Sequence, residues 1–132
     1  MLDLSKPEYL TKEKIWRASY GNTEIYFAGT EFAPNSVQVE YTNGVLIYFS
    51  VLLEQAKQYL AYFVDFERIK ISDPEWLVAD IDFRDSLNQN MRTFSFHLYN
   101  KDDIYGNWFV RFNHWVKQQG EFNPFEFSRV TC

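Results

Sequence analysis

The 132-residue chain predicts a mostly β fold: an antiparallel twisted sheet or half-barrel of about six to eight strands with one or two short helices, an α+β arrangement being the alternative. Three observations predict it. Turn-forming clusters recur at short intervals: Gly21-Asn22, Ala33-Pro34-Asn35, Asn43-Gly44, Ser72-Asp73-Pro74, Asn88-Gln89-Asn90, Asn100-Lys101-Asp102-Asp103, Tyr105-Gly106-Asn107 and Asn123-Pro124. The stretches between them are rich in β-branched and aromatic residues. Several of those stretches alternate apolar and polar positions, the pattern of a strand that buries one face and wets the other.

Taken in order, Ser5-Lys6-Pro7-Glu8 has the form of a capping box, which predicts a short helix over residues 6–13. Strands at 14–20 and 23–29 then join through Gly21-Asn22. Asn43-Gly44 suits the two positive φ angles of a type I′ turn, so 37–42 and 45–52 are expected to form a hairpin. Segment 45–53 is apolar on both faces and belongs mid-sheet or under a helix. Residues 51–64 fit one face of a helix through Leu52, Ala56, Tyr59, Leu60 and Phe63. They also read as a strand end, a turn at 54–57 and a new strand running from Gln58 to Ile71, and β propensity favours this second reading. In 76–83, Leu77, Ala79, Ile81 and Phe83 form the inward face, leaving Trp76, Val78, Asp80 and Asp82 outward. In 92–99, Phe94, Phe96 and Leu98 point in, and Thr93, Ser95, His97 and Tyr99 point out. Residues 108–118 continue as a strand through Phe112, with a helical turn after it as the alternative.

Length and composition describe a single domain over residues 1–132. A hydrophobic content of 46%, with 20% aromatic residues, excludes intrinsic disorder. The single cysteine, Cys132, excludes an internal disulfide framework and a multi-thiol zinc site, and reads as an exposed terminal thiol. No apolar run approaches membrane-spanning length. The opening MLDLSKPEYLTKEK lacks the apolar centre of a signal peptide, so the chain is expected in the cytoplasm. Net charge is −5, and it is concentrated: residues 21–103 hold thirteen acids against six bases, leaving −7. Such a body repels nucleic acid and attracts basic partners.

Asp80, Asp82 and Asp85 come nearest to a metal-ligand cluster, because strand carboxylates two residues apart share a face at about 7 Å. No phosphate loop or calcium loop accompanies them, so no metal and no cofactor is expected. His97 and His114 are the only histidines. Ser95, His97 and Asp80 could be assembled into a triad on paper, but no strained nucleophile turn supports one. Phe27, Tyr41, Phe49, Phe63, Phe83, Phe94, Phe96 and Phe112 are read as core. Trp76, Tyr99, Tyr105, Trp108 and Trp115 fall on outer faces or near turns. Tyr and Trp anchor many interfaces because they bury large areas with few rotors to freeze. With Asp65, Glu67, Asp80 and Asp82, the residues Trp76, Tyr99, Tyr105 and Trp108 make a candidate partner-binding surface.

The segment FERIKISDPEWLVADIDF, followed by RTFSFHLYNKDDIYGNWFVRF, resembles small bacterial immunity proteins, which neutralise a cognate toxin in intercellular competition. The likeness lies in the run of strands, the acidic-aromatic WLVADIDF strand and the late Tyr-Gly turn into a final aromatic strand, over roughly residues 36–113. It implies a non-enzymatic cytoplasmic inhibitor that covers a toxin's active site, and it assigns no residue a role. A basic nuclease would be steered electrostatically to such a chain. A small apolar-ligand-binding β-barrel is the alternative, and an enzyme using Asp80, Asp82 or His97 is the third reading.

Overall fold

The computed structural model describes residues 2–71, 75–86, 90–104, 106–115, 117 and 121–131, with side chains from Lys6 onward. Among these residues β1 (Leu2–Leu10), β2 (Ile15–Tyr20) and β3 (Thr23–Phe27) form an antiparallel meander. Two helices follow, α1 (Ser36–Leu46) and α2 (Phe49–Phe63). They carry the chain to β4 (Leu77–Asp82), which pairs parallel with β3. β5 (Met91–Tyr99), β6 (Gly106–Trp115) and β7 (Phe122–Thr131) complete the sheet with antiparallel pairings. The strand order is β1-β2-β3-β4-β5-β6-β7, and the sheet is not closed. The fold is therefore mostly β, as expected, with β1 and β7 as its two edges.

Gly21 alone takes a positive φ in the two-residue β2–β3 loop, at 58°, as a II′ turn requires at its first position. The expected N-terminal helix is instead β1, held to β2 by pairs such as Tyr9 with Trp16. Pro7 lies where the β1–β2 register shifts between Asp3 and Glu8, so its missing N–H is tolerated there. The Asn43-Gly44 hairpin does not form, because 36–46 is helical. Asn35 caps α1, its Oδ1 accepting the Gln38 N–H at 3.0 Å. Gln38, Thr42, Val45 and Leu46 are the buried positions, a helical spacing that polar Gln38 and Thr42 disguise in the sequence. Residues 49–63 are likewise helical and not the favoured strand, burying Leu52, Ala56 and Leu60 along one stripe.

Both helices cover one face of the sheet. Under them Phe27, Phe83, Phe94 and Phe112 stack in series at 6.2, 5.3 and 5.3 Å, running across β3, the end of β4, β5 and β6. Phe96 joins this layer and packs on Phe49 of α2. Burying each such ring contributes about 1.5–3 kcal/mol relative to exposure, so this layer is the principal source of cohesion. Phe63, read from sequence as core, is 55% exposed at the C-terminal end of α2. The strand expected through Phe112 continues to Trp115, and Asn123-Pro124 lies within β7 instead of forming a turn. Pro124 is accommodated because β7 is an edge strand and its register with β6 shifts at this point.

Candidate interaction face

The face opposite the helices is built from side chains that alternate outward along every strand. Its central row reads Glu8, Arg17, Tyr26, Asp82, Ser95, Arg111 and Glu126 from β1 to β7. The adjacent row reads Ser19, Glu24, Asp80, His97, Phe109 and Ser128 from β2 to β7. Asp80 and Asp82 stand on this face as expected, and so does Tyr99 at the end of β5.

His97 sits near the middle and engages both ring nitrogens. Nδ1 lies 2.8 Å from Asp80 Oδ2, and Nε2 lies 2.8 Å from Asn107 Oδ1. Its ring stacks on Phe109 at 4.5 Å. The Asp80 hydrogen bond raises the His97 pKa above its ordinary value, partly opposed by desolvation and helped by Asn107. Asp80 and Asn107 together hold the His97 ring in place from its two nitrogens. The Nε2 that a Ser-His-Asp triad would turn toward its nucleophile faces Asn107 instead, while Ser95 pairs across the strands with Asp82 and Arg111.

The other acids of the face are also matched. Arg84 meets Asp82 through Nε and NH2, the closest contact being 2.6 Å. Arg17 pairs with Glu8 and lies 3.6 Å from Glu24. Tyr26 donates its hydroxyl to Glu24, and burial followed by that hydrogen bond pushes its pKa up to about 12. Arg111 pairs with Glu126 at 3.4 Å and lies over the ring of Phe125. The surface is thus a lattice of compensated charges, not the bare acidic patch the sequence suggests.

Other sequence-predicted residues fall elsewhere. Trp76 and Trp108 are 6% and 2% exposed, on the helical side. They pack edge to face at 5.8 Å, with Phe66 against both. The outward reading of Trp76 and Val78 fails because the β4–β5 register slips by one residue between Val78 and Asp80. One inserted residue inverts the facing of everything before it. Trp108 satisfies its indole N–H on Asp103 at 2.9 Å, and Arg129 clamps the same carboxylate at 2.7 and 2.9 Å. The Arg129 hydrogen bonds hold the Asp103 pKa below its ordinary value. Asp65 and Glu67 flank Phe66 in the connection from α2 to β4, so they are not brought together with Asp80 and Asp82. Tyr105 lies outside the described residues. His114 is buried, its Nδ1 2.8 Å from the hydroxyl of Tyr41.

Sequence reasoning missed Arg17, Glu24, Tyr26, Arg84, Asn107 and Phe109 as members of this face. Alternation within the first hairpin already points Arg17, Glu24 and Tyr26 outward. What the sequence hides is that β4 returns beside β3 and brings Asp80 and Asp82 to them. Among the described residues no group of three His, Cys, Asp or Glu side chains could hold a metal ion, and no helix is long and apolar enough to cross a membrane. Compared with known proteins, the chain matches no protein-family model, no curated protein and no solved structure.

Proposed function

We propose that this chain is a non-enzymatic cytoplasmic binding protein, an immunity-type inhibitor that neutralises a basic protein toxin such as a nuclease by covering its active site with the open sheet face. The observation that carries this reading is the face itself. The helices occupy only the other side of the sheet, and the Asp80–His97–Asn107 and Arg84–Asp82 contacts hold polar groups in fixed positions before any partner arrives. Preorganised side chains lose little entropy on binding, which is where much affinity is otherwise spent. The net charge of −5 adds long-range attraction toward a basic surface. Both ring nitrogens of His97 are engaged by the chain's own Asp80 and Asn107, which supports a fixed contact group on this face over a proton shuttle. An apolar-ligand barrel requires a closed sheet around a cavity, whereas the covered face here is filled by the phenylalanine stack.

Co-expression with the toxic product of an adjacent gene tests the proposal, growth being the readout. Ser95→Arg places a long cation at the centre of the face and removes none of its side-chain pairs. It is expected to abolish protection, while Gln58→Arg on exposed α2 leaves protection intact. Full protection by Ser95→Arg excludes this face as the inhibitory surface.

A further inference from the structure

We propose that β7 is the docking edge for a second copy of this chain, the two β7 strands pairing antiparallel about a twofold axis into one continuous sheet. β7 is a ten-residue edge strand, so alternate N–H and C=O groups point away from β6, the geometry an added strand satisfies. The other edge is guarded as natural edges are. β1 contains Asp3, Lys6, Pro7 and Glu8, and its register with β2 shifts between Asp3 and Glu8. In β7 the proline stands near the start, at the bulge, and the strand from Phe125 to Thr131 continues without lysine or a second proline, its two charges, Glu126 and Arg129, being paired within the chain to Arg111 and Asp103.

The helical flank of this edge carries an apolar cluster, and the open-face flank sets Phe125 and Val130 among Asn123, Glu126 and Ser128. On the helical side Phe127 packs against Phe63 at 5.7 Å and Tyr59 at 6.1 Å, and Phe63 meets Tyr62 at 4.9 Å. Tyr62 is nevertheless 83% exposed. On the other side Phe125 and Val130 are exposed.

Charge selects the occupant. A chain of net −5 repels its copy in general, yet the charges of α2 and β7 cancel where they stand. Glu54 pairs with Lys57 at 3.5 Å, Glu126 with Arg111 at 3.4 Å, and Arg129 with Asp103 at 2.7 Å. A basic partner gains nothing from this neutral flank, whereas a second copy meets an apolar strip equal to its own. A twofold axis near Phe127 sets the two Phe127 side chains face to face and brings the Tyr62–Phe63 ends of the helices together, an isologous contact that closes on itself.

Sedimentation of the full chain from micromolar to submillimolar concentration tests this, joined to amide hydrogen exchange at both extremes. The expected species at high concentration has twice the 15.8 kDa mass of the chain, with β7 amides slowed relative to the dilute sample. Phe63→Glu and Val130→Lys alter exposed positions and are each expected to weaken the dimer at least about tenfold, as loss of an interface anchor does. Tyr62→Glu, the most exposed of the strip, repeats the test should either variant unfold. A chain that stays monomeric at submillimolar concentration overturns the proposal. So does a dimer indifferent to all three substitutions, or one whose β7 amides exchange as fast as the monomer's. Protection of β7 that appears only when a different protein is added assigns the edge to that protein and overturns the second copy.

Discussion

Gln38 has no exposed surface, and its amide joins three parts of the fold. Oε1 accepts the backbone N–H of Ala28 just past β3 at 2.7 Å, and Nε2 donates to the carbonyl of Arg84 just past β4 at 3.1 Å. Each buried polar group orphaned by a substitution costs about 1–3 kcal/mol, so Gln38→Leu is expected to destabilise by about 2–4 kcal/mol in a denaturant titration. A cost below about 0.5 kcal/mol means water reaches both groups. His97 offers a second single-residue test through pH. Its folded pKa is raised, so the folded state holds the proton more tightly than the unfolded chain. That stability is fully present below the unfolded pKa of about 6.5 and is lost as pH rises through the folded value. Asp80→Asn removes the principal cause of the shift. The wild type is therefore expected to lose stability relative to Asp80→Asn across this window, and parallel pH profiles refute the coupling.

At the scale of elements, α1 is where local signals mislead. Asn43-Gly44 is a strong hairpin pair, yet Gly44 sits in a helix with open space where a Cβ would stand and without a positive φ. Glycine inside a helix costs about 0.8–1.0 kcal/mol relative to alanine, so Gly44→Ala is expected to stabilise by up to about 1 kcal/mol, read as a raised midpoint. No gain, or a loss, argues that 36–46 is not helical. Other elements were legible. The β2–β3 hairpin and β5 follow from strict alternation and turn chemistry. β4 was legible at Asp80–Phe83 but inverted before its bulge, since no residue type announces an inserted position. The helical stripe of α1 was hidden because Gln38 and Thr42 are polar and buried, satisfied by bonds to groups distant in sequence or one helical turn back. The face was half legible for a related reason. Outward positions follow from period two, but the partners of Asp80 and Asp82 depend on β4 returning to β3, a tertiary fact.

Across the whole molecule, steering and contact are carried by different groups, and kinetics can separate them. The chain's −7 over residues 21–103 sets a long-range field, whereas the acids of the open face are paired locally with Arg84, Arg17 and Arg111, and Asp80 with His97. If the partner is basic, the field governs the encounter, and salt with a screening length of about 10 Å at 0.1 M weakens it. The association rate is then expected to fall about tenfold or more between low and high ionic strength, while the dissociation rate changes little. Glu40→Gln and Glu54→Gln, which remove charge from the helices on the opposite side, should slow association modestly and leave dissociation alone. His97→Ala should act chiefly on dissociation, because it removes a stacked, doubly hydrogen-bonded group from the contact. Stopped-flow measurements over a salt series distinguish the two classes. An association rate indifferent to ionic strength removes the electrostatic half of the proposal. A dissociation rate unmoved by His97→Ala removes the half that rests on the open face.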